Sequence, residues 1–210
     1  MLVSFRNNNV NFTSTPLYKI KLPKTDGSGF VDAVVSRLDP NDKIDQDAVK
    51  NILGTWAKGI AADICKYFLR PPKESEYHAI ELVGDENLAG KIIALSRDDL
   101  NACGNLLHLS LLAVKPEVSF QNPQRKIKDV GQALFGFIIN IAKESGICLE
   151  FVSRANKFYL KVLQKAELYR DSLNSDLEAD IYLAKDEICK LAAHWKKDFK
   201  PKKFEEGVLA

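Results

Sequence analysis

The chain has little of what marks the specialised protein classes. Its 210 residues hold four cysteines, three histidines and one methionine. Cys65, Cys103, Cys148 and Cys189 are far apart, with no CxxC spacing, and His78, His108 and His194 are equally scattered. That pattern argues against a zinc site and for reduced, mostly buried thiols, so no metal is expected. No apolar run reaches about 18 residues, so no membrane-spanning helix is expected. The opening MLVSFRNNNVNF lacks a basic stretch followed by an apolar one. No signal peptide is therefore read, and a cytoplasmic protein is expected. Neither sign of charge dominates: 30 Lys+Arg against 28 Asp+Glu leaves +2. Bulk charge therefore makes no case for a nucleic-acid partner.

What is present is ordinary globular material, 46% hydrophobic and 28% charged, which excludes a disordered chain or a coiled-coil rod. Residues 16–22 read as a strand among turn signals at 25–29 and 39–42. From Gln46 to Arg70, apolar residues recur at three-to-four spacing, which predicts one helix capped by Asp45 or Asp47 and stopped by Pro71-Pro72. A hairpin follows, 77–83 and 88–96, then a long apolar strand, 106–114. A polar loop at 117–129 leads into a helix from Val130, with Gly146 just past its end. A buried strand at 147–152, a helix at 156–165, a strand at 179–184 and a helix capped by Asp186 complete the order, with a frayed tail. This is a mixed α/β domain with one central mixed sheet, antiparallel pairs first and a βαβ crossover in the middle.

The stretch 106–156 carries the chemistry. Its strand runs into Val114-Lys115-Pro116, and a basic loop then feeds a helix N-terminus through Lys126-Ile127-Lys128-Asp129-Val130-Gly131. The first-turn N–H groups lack intrahelical acceptors and the dipole is positive there, which makes an anion site. Arg125, Lys126 and Lys128 add charge, and Gly131 permits close approach. A pyrophosphate suits such a place. An exposed basic loop before a capped helix accounts for the same residues about as well.

This block resembles the cofactor-binding core of the GNAT N-acetyltransferase superfamily. There, a strand ending in V-x-P is followed by Q/R-x-x-G-x-G/A, a helix, a strand and an Asn, matched here by Asn156. Element order agrees over residues 45–185. Lys126 stands where Gln or Arg is usual and Asp129 where the first Gly is usual, and the loop is longer. The resemblance implies a GNAT-like sheet with helices on both faces and acetyl-CoA as cofactor. Its pyrophosphate would lie on the N–H groups running from Lys126 through Lys128, Asp129, Val130 and Gly131 to Gln132. The pantetheine arm would pair with Leu112, Ala113 and Val114, and the N–H near Val114 would polarise the thioester carbonyl. Asn156 would bind the pantetheine or the backbone between splayed strands. An acetyl group would pass to an unidentified amine by direct attack.

Three residues are candidates for proton transfer. His108 falls where some GNAT members carry a catalytic Glu. Simple alternation puts His108, Ser110, Leu112 and Val114 on one face. A straight strand separates His108 from Val114 by about 20 Å, which suits a structural histidine as well as a base. Glu81 is the second candidate base, and Glu150 reads as an edge or salt-bridged carboxylate. Leu163 stands at the position of the family's usual Tyr acid, and Tyr159, one turn earlier, is the substitute candidate or a packing residue.

Residues 1–45 form an extension that is an extra strand and cap or a homodimer contact. Residues 46–185 form the GNAT-like domain, and 186–210 a C-terminal helix and tail. The rival readings are a GNAT-fold protein that binds CoA or a partner with little catalysis, and a nucleic-acid binder. The latter would use Arg125, Lys126 and Lys128 with Lys196, Lys197, Lys200, Lys202 and Lys203, residues that more often form a solvated face.

Overall fold

A computed structural model describes residues 15–72, 74–83, 91–101, 103–154 and 178–204. Eight strands make one sheet in the order β7-β6-β5-β4-β3-β2-β1-β8. β1 (Thr15–Pro23) and β2 (Phe30–Leu38) pair antiparallel and continue into β3 (Ser75–Leu82), β4 (Ile92–Leu100) and β5 (Leu106–Val114). β6 (Cys148–Arg154) is parallel to β5, and β7 (Glu178–Leu183) antiparallel to β6. β8 (Lys202–Lys203) closes the far edge against β1. Helices α1 (Lys43–Thr55) and α2 (Ile60–Leu69) bury one face of the sheet, with Val49, Ile64 and Phe68 against Tyr77 and Leu95. α3 (Val130–Ser145) and α4 (Lys185–Phe199) bury the other, with Phe137, Leu134 and Trp195 against Ile80 and Leu109.

The parallel neighbours, the α3 crossover with Gly146 at its C-cap, and the single mixed sheet with helices on both faces are as the sequence implies. Several elements differ. The first 45 residues contain a second strand, β2, whose burial on both faces erases the period-two signal. The helix expected over 46–70 is two helices, because Gly59 takes φ 55° and turns the chain while both halves press the same sheet face. Asp42, rather than Asp45 or Asp47, caps α1, accepting from the N–H groups of Ile44 at 2.7 Å and Asp45 at 3.1 Å. Ala184 is the N-cap of α4, its N–H donating to Glu187 Oε2 at 2.9 Å, and Asp186 sits in the first turn. The tail is tied down at 202–204, where Phe204 N–H donates to Leu17 O at 2.9 Å. Lys19 and Lys21 of β1 reach Asp32 of β2 on the outer side of this edge.

Freed from capping, Asp45 is 2% exposed and accepts the Asp39 N–H at 2.8 Å through Oδ2. Its Oδ1 has no partner. Burial pushes its carboxyl up to about 7, and Asp42, Glu81 and Asp39 add to the rise. A carboxyl raised in the folded state binds its proton more tightly folded than unfolded. Stability from this group is therefore full below the unfolded value near pH 4, falls between pH 4 and 7, and is level above. Asp45→Asn keeps the Asp39 acceptor and removes the charge. The variant should be more stable than the parent at pH 8 by roughly 1–3 kcal/mol, with the gap closing toward pH 4. Urea denaturation at the two pH values checks this; a gap that does not depend on pH would refute it.

Candidate functional site

β5 and β6 run together for only four residue pairs, Leu106↔Cys148 to Leu109↔Phe151. Beyond that point β5 stays with β4 as far as Val114, while β6 stays with β7 as far as Arg154. The two strands therefore part, and one edge of residues 110–114 is left unpaired by the sheet. Lys115 N–H donates to Ile93 O of β4 at 2.8 Å. Successive N–H groups of a strand point to opposite edges, so the N–H groups of Val114 and Leu112 are directed into the gap.

The cause of the parting lies within β5. Arg97 pairs with Leu111 and Asp98 with Leu109, which leaves Ser110 as the extra residue of a β-bulge. The bulge also switches the faces. Leu107, Leu109, Leu112 and Val114 pack toward α3, whereas Leu111 and Ala113 pack toward α1 and α2. His108 and Val114 are thus on opposite faces, which corrects the alternation drawn from the sequence.

At the open end of β5 lies a cavity of about 430 Å³. Residues 112–114 of β5, Arg125 and residues 129–132 at the start of α3 line it, together with Trp56, Lys58 and Ile60 from the α1–α2 connection. No local sequence pattern marks these last three, because their place at the cavity depends on the turn at Gly59 between α1 and α2. Lys126 and Lys128 do not line the cavity. The Thr25 N–H donates to Lys126 O at 3.0 Å and Lys128 N–H to Pro23 O at 3.0 Å, a bridge that turns Ile127 into the core and the two lysines away. Of the stretch 126–132 expected to face an anion, residues 129–132 line the cavity.

Asp129 occupies the N-cap of α3 in the left-handed region, φ 62°, ψ 18°, and its side chain makes no capping hydrogen bond. A glycine adopts this backbone freely, and Asp tolerates it better than most residues. Within its loop Arg125 Nη1 donates to Phe120 O at 2.9 Å and Asn122 O at 3.2 Å, while its Nε is buried without a partner. An uncapped helix start and an orphaned guanidinium nitrogen beside one cavity fit a pyrophosphate, with the carboxylate of Asp129 opposing it. Asp129→Gly should tighten coenzyme A binding by about 3–10-fold, roughly 1 kcal/mol. Its effect on Tm should be small, since relief of the left-handed residue offsets the added unfolded-state entropy. Calorimetric titration checks it, and weaker binding would refute it.

On the α1–α2 side of the sheet a row of polar residues crosses five strands at one level: Ser75, Asp99, His108, Glu150 and Tyr182. His108 Nδ1 is 3.2 Å from Glu150 Oε2, each side chain being 34% exposed. Asp99 accepts from the hydroxyls of Ser110 and Ser75 and from Arg97 at 3.0 Å. Burial works against its charge, but these three partners hold its carboxyl below the ordinary range. Arg97 also lies over the Tyr67 ring at 4.4 Å. The neighbouring Cys148 raises the Tyr182 phenol. His108 is a candidate base and Glu150 a salt-bridged carboxylate on the sequence alone, 42 positions apart. The partnership shows only once β5 and β6 lie side by side.

Glu81 is fully buried, pairs across the sheet with Val34 and Ile92, adds its charge to the field at Asp45 of α1, and does not line the cavity. The buried pair His78 and Asp98, 2.8 Å apart on the α3 side, abuts Phe137. Burial raises Asp98 against the pull of His78. Asn156, Tyr159 and Leu163 lie outside the described residues. Of the tail lysines, Lys203 reaches Glu144 at 3.7 Å and Lys200 lies over Phe30 at 5.2 Å. Among the described residues no cluster of three or more potential ligands could hold a metal, and no helix is long and apolar enough to cross a membrane.

No family model and no curated protein matches the chain. Among solved structures it is similar to Tetrahymena GCN5, at 10% identity and TM-score 0.45, over 72% of this chain and 96% of that one. It is also similar to an aminoglycoside 6'-acetyltransferase type Ii, at 15% identity and TM-score 0.41, over 70% of this chain and 93% of that one. A third is an aminoglycoside 6'-N-acetyltransferase complexed with coenzyme A, at 13% identity and TM-score 0.38, over 63% and 73%. Likenesses this remote leave the decision to the topology: an antiparallel run of strands, one parallel pair bridged by α3, a bulge in β5 and a gap opening beyond it. The chain has a GNAT-like fold, a single mixed sheet with helices on both faces. α4 and β8 carry the chain back across the α3 face to the sheet edge formed by β1.

Proposed function

We propose that this protein is a divergent GNAT N-acetyltransferase that moves an acetyl group from acetyl-CoA to an amine by direct attack. The observation that carries the reading is the gap between β5 and β6, which opens onto a cavity shared with the start of α3. Acetyl-CoA supplies an activated thioester when bound. The first-turn N–H groups of α3 at residues 130–132 and Arg125 hold its pyrophosphate. Leu112 and Val114 offer their N–H groups along the unpaired edge of β5, and the Val114 N–H stabilises negative charge on the thioester oxygen as the tetrahedral centre forms. The new N–C bond would form first, the C–S bond would then break as the carbonyl is restored, and the amine proton would leave through a base while the thiolate gains a proton. His108, at the closed end of the gap, is the base candidate; its separation from Val114 calls for a water relay.

The alternative is a GNAT-fold protein that binds coenzyme A and turns over slowly, favoured by the carboxylate of Asp129 at the cavity. Calorimetry with acetyl-CoA and with coenzyme A, followed by thiol release against a panel of primary amines, tests both. Binding with thiol release supports the transferase. Binding with none for any amine supports the alternative, and failure to bind either compound overturns both.

A further inference from the structure

His108 and Glu150 are brought together by the one parallel pairing in the sheet, in the second-to-last register before β5 and β6 part. Two features make this pair specific. The first is that the imidazole has another carboxylate beside it in the row, Asp99, but both oxygens of Asp99 are taken by Ser110, Ser75 and Arg97. Glu150 is thus the carboxylate left for the ring, and its Oε2 faces Nδ1 at 3.2 Å. The second is that Nε2 of His108 has no partner among the described residues, and the side chain is a third exposed. A histidine held for packing alone satisfies both nitrogens or hides them; here one is tied and the other is open.

We propose that Glu150 is a positioning residue: it accepts the Nδ1–H of His108 and fixes the imidazole with its Nε2 lone pair open, at the closed end of the gap between β5 and β6. Which ring nitrogen carries the proton is set by the hydrogen bond the other makes. A neutral imidazole free of such a partner favours the proton on Nε2, which would turn the wrong nitrogen outward. With Nδ1–H donated to Glu150, Nε2 takes up the proton of the acceptor ammonium through a relay of waters along the gap, the direct reach to Val114 being too long. The nitrogen so freed forms the N–C bond, and the departing sulfur takes up a proton. Glu150 itself exchanges no proton. The inference rests on the acetyltransferase reading for its catalytic consequence but not for its geometry.

The test has two arms. In the first, nitrogen NMR of the full-length protein at pH 8 reads the His108 ring, assigned by its loss in His108→Gln. The wild type should show the Nδ1–H tautomer, and Glu150→Leu should shift it toward Nε2–H, while Glu150→Gln, which keeps a carbonyl acceptor, should retain it in part. A wild-type Nε2–H tautomer, or a ring indifferent to Glu150→Leu, overturns the proposal. In the second arm, thiol release from acetyl-CoA is followed with the best amine of the panel. Glu150→Leu should lower kcat by about 10–100-fold with the KM for acetyl-CoA unchanged. It should add little to the loss in His108→Gln, since the two act as a unit. Additive losses overturn the coupling. If the wild type acetylates no amine, the transferase reading fails and the tautomer alone decides the positioning role.

Discussion

Gly131→Glu is expected to weaken acetyl-CoA binding by more than 100-fold while leaving the fold intact. Gly131 lines the cavity in the first turn of α3, next to Val130 and Gln132. A glutamate there puts a side chain and a negative charge where the pyrophosphate approaches the backbone. Two like charges about 4 Å apart at an effective dielectric near 20 repel by about 4 kcal/mol, close to a thousandfold in affinity. The same substitution favours the folded protein, because Glu is a better helix former than Gly and an acid suits a helix N-terminus. Loss of binding with Tm unchanged or raised thus cannot be ascribed to unfolding. Calorimetric titration beside a thermal melt checks it, and unchanged affinity would remove the pyrophosphate from this helix.

Gly136→Ala carries the largest expected effect on stability. Gly136 is in the middle of α3, where helix propensity alone favours Ala by about 1 kcal/mol. A Cβ at this position would collide with Cδ1 of Trp195 and lie 2.8 Å from Cγ of the same ring. Trp195 cannot easily give way. It is 2% exposed, donates Nε1–H to Ala133 O at 2.9 Å, and stands edge-on to Tyr18 with centroids 5.6 Å apart. Overpacking at such a contact outweighs the propensity gain, giving a net loss of about 2–3 kcal/mol. For a chain of this size that lowers Tm by roughly 5–10 °C. A melt followed by tryptophan fluorescence checks it; a raised Tm would mean that α3 and α4 are not in this contact.

The two substitutions differ in how visible they were beforehand. Gly131 sits in a motif with its own physical logic, a basic loop and a close approach at a helix start, so its place beside the cavity is readable from nearby residues. Gly136 reads in the sequence as one small residue in an apolar helix. Its partner is 59 positions away in α4 (195 less 136), and no local pattern joins them. The candidate site divides the same way. Val114, Gly131 and the α3 start were legible because strand, loop and helix are consecutive. The exclusion of Lys126 and Lys128 was not, because it depends on a bridge from the β1–β2 turn about a hundred residues earlier. The face of His108 was misread because a bulge at Ser110 leaves no mark in an apolar run.

By itself the sequence determined the local matters: the α3 crossover and its glycine cap, the parallel placement of β5 and β6, and the loop that leads from one to the start of the other's crossover helix. Each follows from side-chain periodicity, backbone φ preference or chain continuity over a few tens of residues. Tertiary structure alone decided the division of α1 from α2, the inclusion of β2 and the closure of the sheet edge by β8. It also decided which of the two carboxylates beside His108 is left to it. Those outcomes turn on pairings between distant segments, where burial and the need to satisfy every polar group select one register. The gap between β5 and β6 arises from the two together: a strand long enough to outrun its neighbour, and a single extra residue that bends it away.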